Sequence, residues 1–356
     1  MFRSLVWFYL TTPLRGGFYD LIKPMKRAVF VFLIICASVA WAAGDYEYDW
    51  TGTDSEVLEK IGQWVFGVYG FMFHEEPLPT EYGGFYDWAG ILGFLFVIVG
   101  LMQDIVERRL SRSRFLETLS SLFTQIPFYF TETFVFIASL GFFFVLYEYM
   151  PWRLPFDSWA VFVLAVIAAD FAYYWEHRLS HRIRLFWLAH AVHHSSPIMN
   201  VAVAFRFSIF DPFIAAIFHL PLILLGFHPV HVAAGEIIVL GYQTWIHNET
   251  IGKLGFLEKI LNTPSAHRVH HGSDGKYLDK NYGGMFIVWD RWFGTYQEEE
   301  ETPRYGLTEQ IDTVNPFKVQ FSEFPRLWRD IRRSKTAGEF AGYLFRPPGW
   351  KPRERK

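Results

Sequence analysis

Nine of the chain's thirteen histidines fall into three short stretches. The first runs from Tyr173 to His194 and holds His177, His181, His190, His193 and His194. The second is His247 alone, within Trp245-Ile246-His247-Asn248-Glu249. The third holds His267, His270 and His271. Residues three or four apart share a helix face. The HxxxH of 177–181 and the HxxHH of 190–194 and 267–271 can therefore each aim two or three imidazoles at one point. Neutral imidazole is a good ligand for iron, zinc, copper and nickel. One ion takes roughly four to six ligands, so eight or nine imidazoles imply two metals sharing a site. Cys36 is the only cysteine, which excludes an intrachain disulfide framework and any cysteine-based zinc or iron–sulfur site.

Zinc would make this a hydrolytic site, but hydrolysis rarely needs so many neutral ligands. Iron would allow dioxygen to be activated for attack on a C–H bond. Carboxylates near the boxes are few: Asp170, Glu176, Glu249, Asp274 and Asp279. Asp170 precedes His177 by two helical turns on the same face, a position from which it could orient a ligand imidazole. Glu249 and Asn281 are the other candidates for that supporting role. His74, His219, His228 and His231 lie outside the boxes and read as structural or interfacial. Arg206, just ahead of an apolar run, reads as a snorkelling side chain rather than a headgroup ligand.

The elements that must carry these residues are helical and apolar. The chain is 51% hydrophobic and 20% aromatic, with a mean hydropathy above zero. This composition predicts an all-α integral membrane protein. A net charge of -3 gives no nucleic-acid footprint. Residues 1–43 combine a basic start, the apolar run Ala28–Ala43 and an Ala40-Trp41-Ala42 ending, as in a secretory signal peptide or an uncleaved signal-anchor. Residues 44–87 are acidic and predict a non-cytoplasmic segment, with an interfacial helix over Ile61–Phe73. Apolar runs follow at Trp88–Met102, Ile126–Leu146, Trp159–Tyr174, Phe207–Gly226 and Val230–Ile246. The arginine-rich stretch Glu107–Arg114 marks a cytoplasmic loop. Counting spans from that loop places all nine clustered histidines on the cytoplasmic face. From residue 248 onward a polar and aromatic cap is expected under the bundle, with Glu298–Glu301 as solvated surface. The hydroxylase-like region is then 88–298, and a tail, 299–356, packs on the cap.

The boxes resemble those of the fatty acid hydroxylase / sterol desaturase superfamily of membrane di-iron enzymes, over roughly residues 90–298. The order HxxxH, HxxHH, HxxHH stands unaltered. So do Asp170 through His181, His190–Ser196, Leu261-Asn262-Thr263-Pro264, Asp279-Lys280-Asn281-Tyr282-Gly283-Gly284, Trp289-Asp290-Arg291 and Phe293-Gly294-Thr295, which resemble the branch acting on glycerol ether lipids. The resemblance implies a four-helix membrane core, a cytosolic cap, and two irons held by His177, His181, His190, His193, His194, His267, His270 and His271, with His247 as the ninth ligand or a close neighbour. It implies dioxygen as co-substrate, a lipid substrate, and a separate reductant: tetrahydrobiopterin, or a cytochrome b5- or ferredoxin-type donor. It leaves open hydroxylation of an alkyl or acyl chain, attack at an ether-linked carbon, desaturation, and hydroxylation of an ornithine-containing lipid. The acidic segment before residue 88 lies outside the family pattern, and the signal-like start suits a bacterial inner membrane, or a reticulum-type membrane in a eukaryote. The alternatives outside lipid oxidation are a metal- or lipid-binding membrane protein without catalysis, and a zinc hydrolase.

Overall fold

Ser111 starts the first long helix, α1 (Arg112–Glu148), by accepting a hydrogen bond from the Arg114 amide, the usual service of an N-cap serine. The computed structural model that shows this describes Val99, residues 102–105 and residues 109–352. The signal-like segment, the acidic segment with its interfacial helix, and most of the run Trp88–Met102 lie outside the described residues.

With 37 residues, α1 is about 56 Å long at 1.5 Å per residue, well beyond the ~30 Å of bilayer hydrocarbon. Its two halves differ accordingly. The first buries Glu117, Thr118, Ser121, Thr124 and Gln125. The second, from Ile126, turns Phe130, Phe134, Phe142 and Val145 outward without protein cover, as a lipid-facing surface would. A second serine cap, Ser158, opens α2 (Trp159–Arg182). Helices α1 and α2 are the two among the described residues that are long and apolar enough to cross a membrane. One extended residue, Ile183, separates α2 from α3 (Arg184–His194).

The next two apolar runs form α4 (Asp211–Leu224) and α5 (Pro229–Ile246), each with proline in its first turn, where a missing N–H costs nothing. Helix α4 is shorter than the run Phe207–Gly226 because the Asp211 carboxylate takes the Ser208 amide at 2.7 Å and holds 208–211 as a turn. Helix α2 packs on α5 and α4, and α1 packs on α4. Gly235 lets α2 and α5 approach: a Cβ there would meet the Ala169 Cβ at 2.8 Å. The core between them is Phe143, Tyr147, Leu222, Ile223, Phe227, Val232 and Val239.

Beyond α5 the chain is a set of short helices, α6 (Pro264–His270), α7 (Val288–Trp292), α8 (Pro316–Gln320), α9 (Phe324–Arg332) and α10 (Ala337–Phe345). No strand occurs among the described residues; two isolated bridges, Leu261 with Phe286 and Gly272 with Tyr305, are the β-type pairings. The tail closes over α3. Leu188 packs on Leu327 and Tyr343, Arg184 pairs with Asp330 at 2.7 Å, and the Arg184 amide reaches the Arg346 carbonyl. The run Glu298–Glu301 is not uniformly solvated surface. Glu299 is largely covered, with 11% of its side chain exposed, and pairs with the Arg268 guanidinium.

Candidate metal centre

Four segments converge on one place. Helix α2 brings His177 and His181, α3 brings His190, His193 and His194, the C-cap of α5 brings His247, and α6 with its C-cap brings His267, His270 and His271. Their ring nitrogens form two groups, each within 4.8 Å: His177, His181, His190, His194 and His270 in one, His193, His247, His267 and His271 in the other. Each HxxHH box is therefore divided, rather than aimed at a single point. His190 and His194, four apart, share the first group, while His193, turned ~100° from its neighbour, enters the second. In α6 the pattern inverts: His267 and His271 share the second group and His270 enters the first.

The spacing fits metal coordination. Nε2 atoms of His190 and His194 lie 3.1 Å apart, and those of His194 and His270 lie 3.0 Å apart. In the second group His193–His247, His247–His267 and His267–His271 are separated by 3.2, 2.8 and 3.1 Å. Two nitrogens bound to one ion at ~2.1 Å and ~90° apart would be roughly 3.0 Å from each other. The Nε2 atoms of His177 and His181 are buried and reach no hydrogen-bond partner.

The opposite ring nitrogens fix the tautomers. His177 Nδ1 donates to the Tyr282 carbonyl at 2.9 Å, His270 Nδ1 to the Lys280 carbonyl at 2.9 Å, and His247 Nδ1 to the Gln243 carbonyl at 2.8 Å. Each bond leaves Nε2 with its lone pair free for an ion. Protonation is suppressed as well. Burial first, then neighbouring imidazoles, holds His190, His193, His194, His267 and His271 well below the ordinary histidine range. His270 is held there by burial and the His181 ring. Burial pushes His247 down to about 4, against the opposing pull of the Gln243 carbonyl.

The three candidate supporting residues touch no imidazole. Asp170 accepts from the amides of Met285 and Phe286 and from Trp289 Nε1, so it anchors the 285–289 segment to α2. Glu249 pairs with Arg109 at 2.7 Å and Arg114 at 3.0 Å. Asn281, at φ 57, donates to the carbonyls of Ala266 and Gln297 and accepts from the Gln297 amide. It thereby sets the peptide between the two carbonyls that receive His270 and His177.

The residues that hold the scaffold are others. Asp290 takes the amides of Tyr282 and Gly283 at 2.8 Å each. Arg268 grips Glu299 with two bonds, at 2.7 and 2.5 Å, and reaches the carbonyls of Asn248 and Ile251. Arg206 does not snorkel. It is wholly buried, donating to Glu117, Ser121, Ser195 Oγ and the Val192 carbonyl at the end of α3. Outside the boxes, His228 caps α5 by accepting from the Val230 amide, and His231 stacks on Phe156. His219 is different from both: it faces a cavity. That cavity, about 110 Å³, lies among α1, α2, α4 and α5 and has His177, His190, His193 and His247 in its lining. Both histidine groups thus border it.

Residues 162–295 match the family model for fatty acid hydroxylase. Over 206 residues the chain is 42% identical to an alkylglycerol monooxygenase of Homo sapiens, covering 58% of this chain and 46% of that protein. It is 42% identical over 203 residues to the Danio rerio protein of that name, covering 56% and 45%. It is 34% identical over 146 residues to the ornithine lipid hydroxylase OlsE of Rhizobium tropici, covering 39% and 44%. The chain spans about half the length of the curated relatives it matches. No solved structure matches it. The matched stretch, residues 162–295, contains all nine clustered histidines.

Proposed function

We propose that this chain is a membrane-embedded, dioxygen-dependent di-iron monooxygenase that hydroxylates an alkyl or acyl chain of a lipid. The observation that carries this reading is the meeting of two convergent imidazole groups with one cavity in the helical bundle. His177, His181, His190, His194 and His270 would hold one ion, and His193, His247, His267 and His271 the other. Iron bound there would supply dioxygen activation and oxygen insertion into a C–H bond, with electrons from a separate donor.

The chain's own part is positioning. Carbonyls of Tyr282, Lys280 and Gln243 set three imidazoles in one tautomer. The apolar flank of the cavity, with Phe128, Val135, Phe136, Val239 and Leu240, would hold a hydrocarbon chain against the histidine wall and keep water from it. Fixing a carbon there lowers the entropic part of the barrier. The names of the alkylglycerol relatives favour the ether-linked carbon of a glycerol ether lipid, with tetrahydrobiopterin as the finer reading of the donor. The histidine face lies toward the cytoplasm, on the charge pattern of 107–114. Region 88–298 is the catalytic unit and 299–356 its buttress. The test is comparative lipid mass spectrometry of cells expressing the chain or its His193→Ala variant at matched levels. A lipid class gaining one oxygen only with the parent chain supports the proposal. Loss of two hydrogens replaces it with desaturation, and no difference, with iron bound and reductant present, replaces it with a non-catalytic metal protein.

A further inference from the structure

The tail after residue 299 carries a face that no described residue covers. Helix α9 is two-sided. Its inner side, with Phe324, Leu327 and Ile331, packs against Leu188 of α3 and Tyr343 of α10. On its outer side Pro325, Trp328, Arg329 and Arg332 recur at i, i+3, i+4 and i+7, the spacing of one helix face, and all four are exposed. Trp328 is 60% exposed, and Phe317 and Phe321, just ahead of the helix, are 72% and 43% exposed. Arg329, Arg332 and Arg333 pair with no described residue. The nearby carboxylates are already taken, Asp330 by Arg184, and Glu309 and Glu323 by Arg326. Bare aromatic rings interleaved with unpaired cations suit the headgroup layer of a bilayer, where both concentrate. The place where the face is held points the same way. Gln320 of α8 is buried, donates to the carbonyls of Thr124 and Phe207 at 3.2 and 2.7 Å, and accepts from the Ile209 amide. Thr124 is where α1 passes from buried polar side chains to outward phenylalanines. The Phe324 ring lies 5.5 Å from that of Phe210, the N-cap of α4, and Phe213, one turn on, is turned outward. The tail is thus clamped at the level where two apolar helices leave their polar ends.

We infer that the segment α8–α9 docks on the anionic headgroup layer of the membrane that holds the bundle, with Phe317, Phe321 and Trp328 set between headgroups and Arg329, Arg332 and Arg333 against their negative charge. This rests on the membrane placement within the proposed function, not on the oxidation chemistry. An arginine beside an anionic surface gains roughly fivefold in occupancy, and three together about a hundredfold. The cytoplasmic leaflet is the anionic one, and the proposed orientation turns the histidine face, on which the tail packs, toward it. Helix α9 also braces α3 through Leu188 and Arg184. Docking therefore fixes at the membrane the brace of the helix that bears His190, His193 and His194.

The experiment uses the full-length protein, carrying Cys36→Ser so that one nitroxide can be placed, with a single copy in each nanodisc. The nitroxide is attached at Trp328→Cys and, in a second protein that keeps Trp328, at Phe317→Cys. Spin-label collision with an aqueous nickel chelate reads whether the site is covered. In discs with about 30% phosphatidylserine, contact with the chelate is expected to be at least about fivefold lower than in purely zwitterionic discs. About 0.5 M salt should remove most of that difference. Arg329→Gln, Arg332→Gln and Arg333→Gln together should bring the two kinds of disc within about twofold of each other. Equal contact in the two kinds of disc without those three substitutions overturns the inference, whether or not the substituted protein folds. So does a difference that survives both the substitutions and the salt. Protection that appears only with two copies in a disc assigns the face to a second copy of the chain and overturns it too. A label at Phe134→Cys, on the outward side of α1 and 69% exposed in the bundle, reads the membrane placement itself. Hydrocarbon there with equal contact at 328 sinks the docking alone, and water at both sinks the placement with it.

Discussion

Replacing Arg206 by methionine tests whether the centre is held from behind by a buried ion pair. The guanidinium is wholly buried and its partner Glu117 nearly so, with 8% of that side chain exposed. The substitution keeps most of the volume but removes four donated bonds and leaves Glu117 uncompensated. Breaking one side of such a pair costs about 3–5 kcal/mol. Replacing both partners by apolar residues is often neutral or better, but here the Val192 carbonyl and the hydroxyls of Ser121 and Ser195 would still lose a donor, together about 2 kcal/mol. Arg206→Met is therefore expected to lose about 3–5 kcal/mol, and Arg206→Met with Glu117→Leu only about 2. Equilibrium unfolding in mixed micelles reads both values. Because Val192 precedes His193, iron content should fall in the single variant even where it remains folded. A single variant within about 1 kcal/mol of the parent, or a double variant no more stable than the single, would refute the reasoning.

Three further outcomes are expected. Gly284→Ala places a Cβ 2.6 Å from Asp170 Oδ1 and 2.8 Å from Val239, neither free to yield. It should cost about 1–3 kcal/mol in thermal unfolding and lower iron content by shifting the neighbouring Tyr282 carbonyl. Arg268→Lys keeps the charge but cannot make both bonds to Glu299; it should weaken iron retention against a chelator, and an unchanged off-rate would count against the clamp. The histidines give a pH profile whose sign is fixed: their folded-state values are depressed, that of His247 to about 4, so the unfolded chain takes up protons first as pH falls. Stability and ion retention should be full above about pH 7 and decline from about 6.5 toward 4, each such histidine contributing roughly 1.4 kcal/mol per pH unit. Iron release followed from pH 7.5 to 5 checks this, and a flat profile would contradict it.

Much of the centre was legible in the chain because a histidine box is a local pattern. Spacings of three and four state which imidazoles share a helix face before any tertiary contact is known. The division of each HxxHH between two groups follows from the 100° step of the helix, yet it shows only once the facing helix is in place. Arg206 and Glu117 are 89 positions apart, and nothing local distinguishes a buried arginine from a snorkelling one. Arg268 with Glu299 misleads in the same way, since a run of four glutamates is ordinarily solvated and one of these is drawn inward by its partner. The cavity lies among four helices, so no window of sequence contains it. Asp170 was placed on the histidine-bearing helix correctly, but its carboxylate is satisfied by the 285–289 segment, more than a hundred positions away.

The dispersal of the imidazoles along the chain also governs the order in which the centre can be made. His177 and His181 leave the ribosome first, and both groups need residues of α6, up to 94 positions later, counting from His177 to His271. At about 5–20 residues per second, that is a delay of roughly five to twenty seconds. During it the early helices would enter the membrane carrying imidazoles that have no complete set of companions. Neither group can close until α6 has emerged and docked. Loading of the proposed ions would thus have to follow the docking of α6, and any ion captured sooner would be held by a partial set and open to exchange.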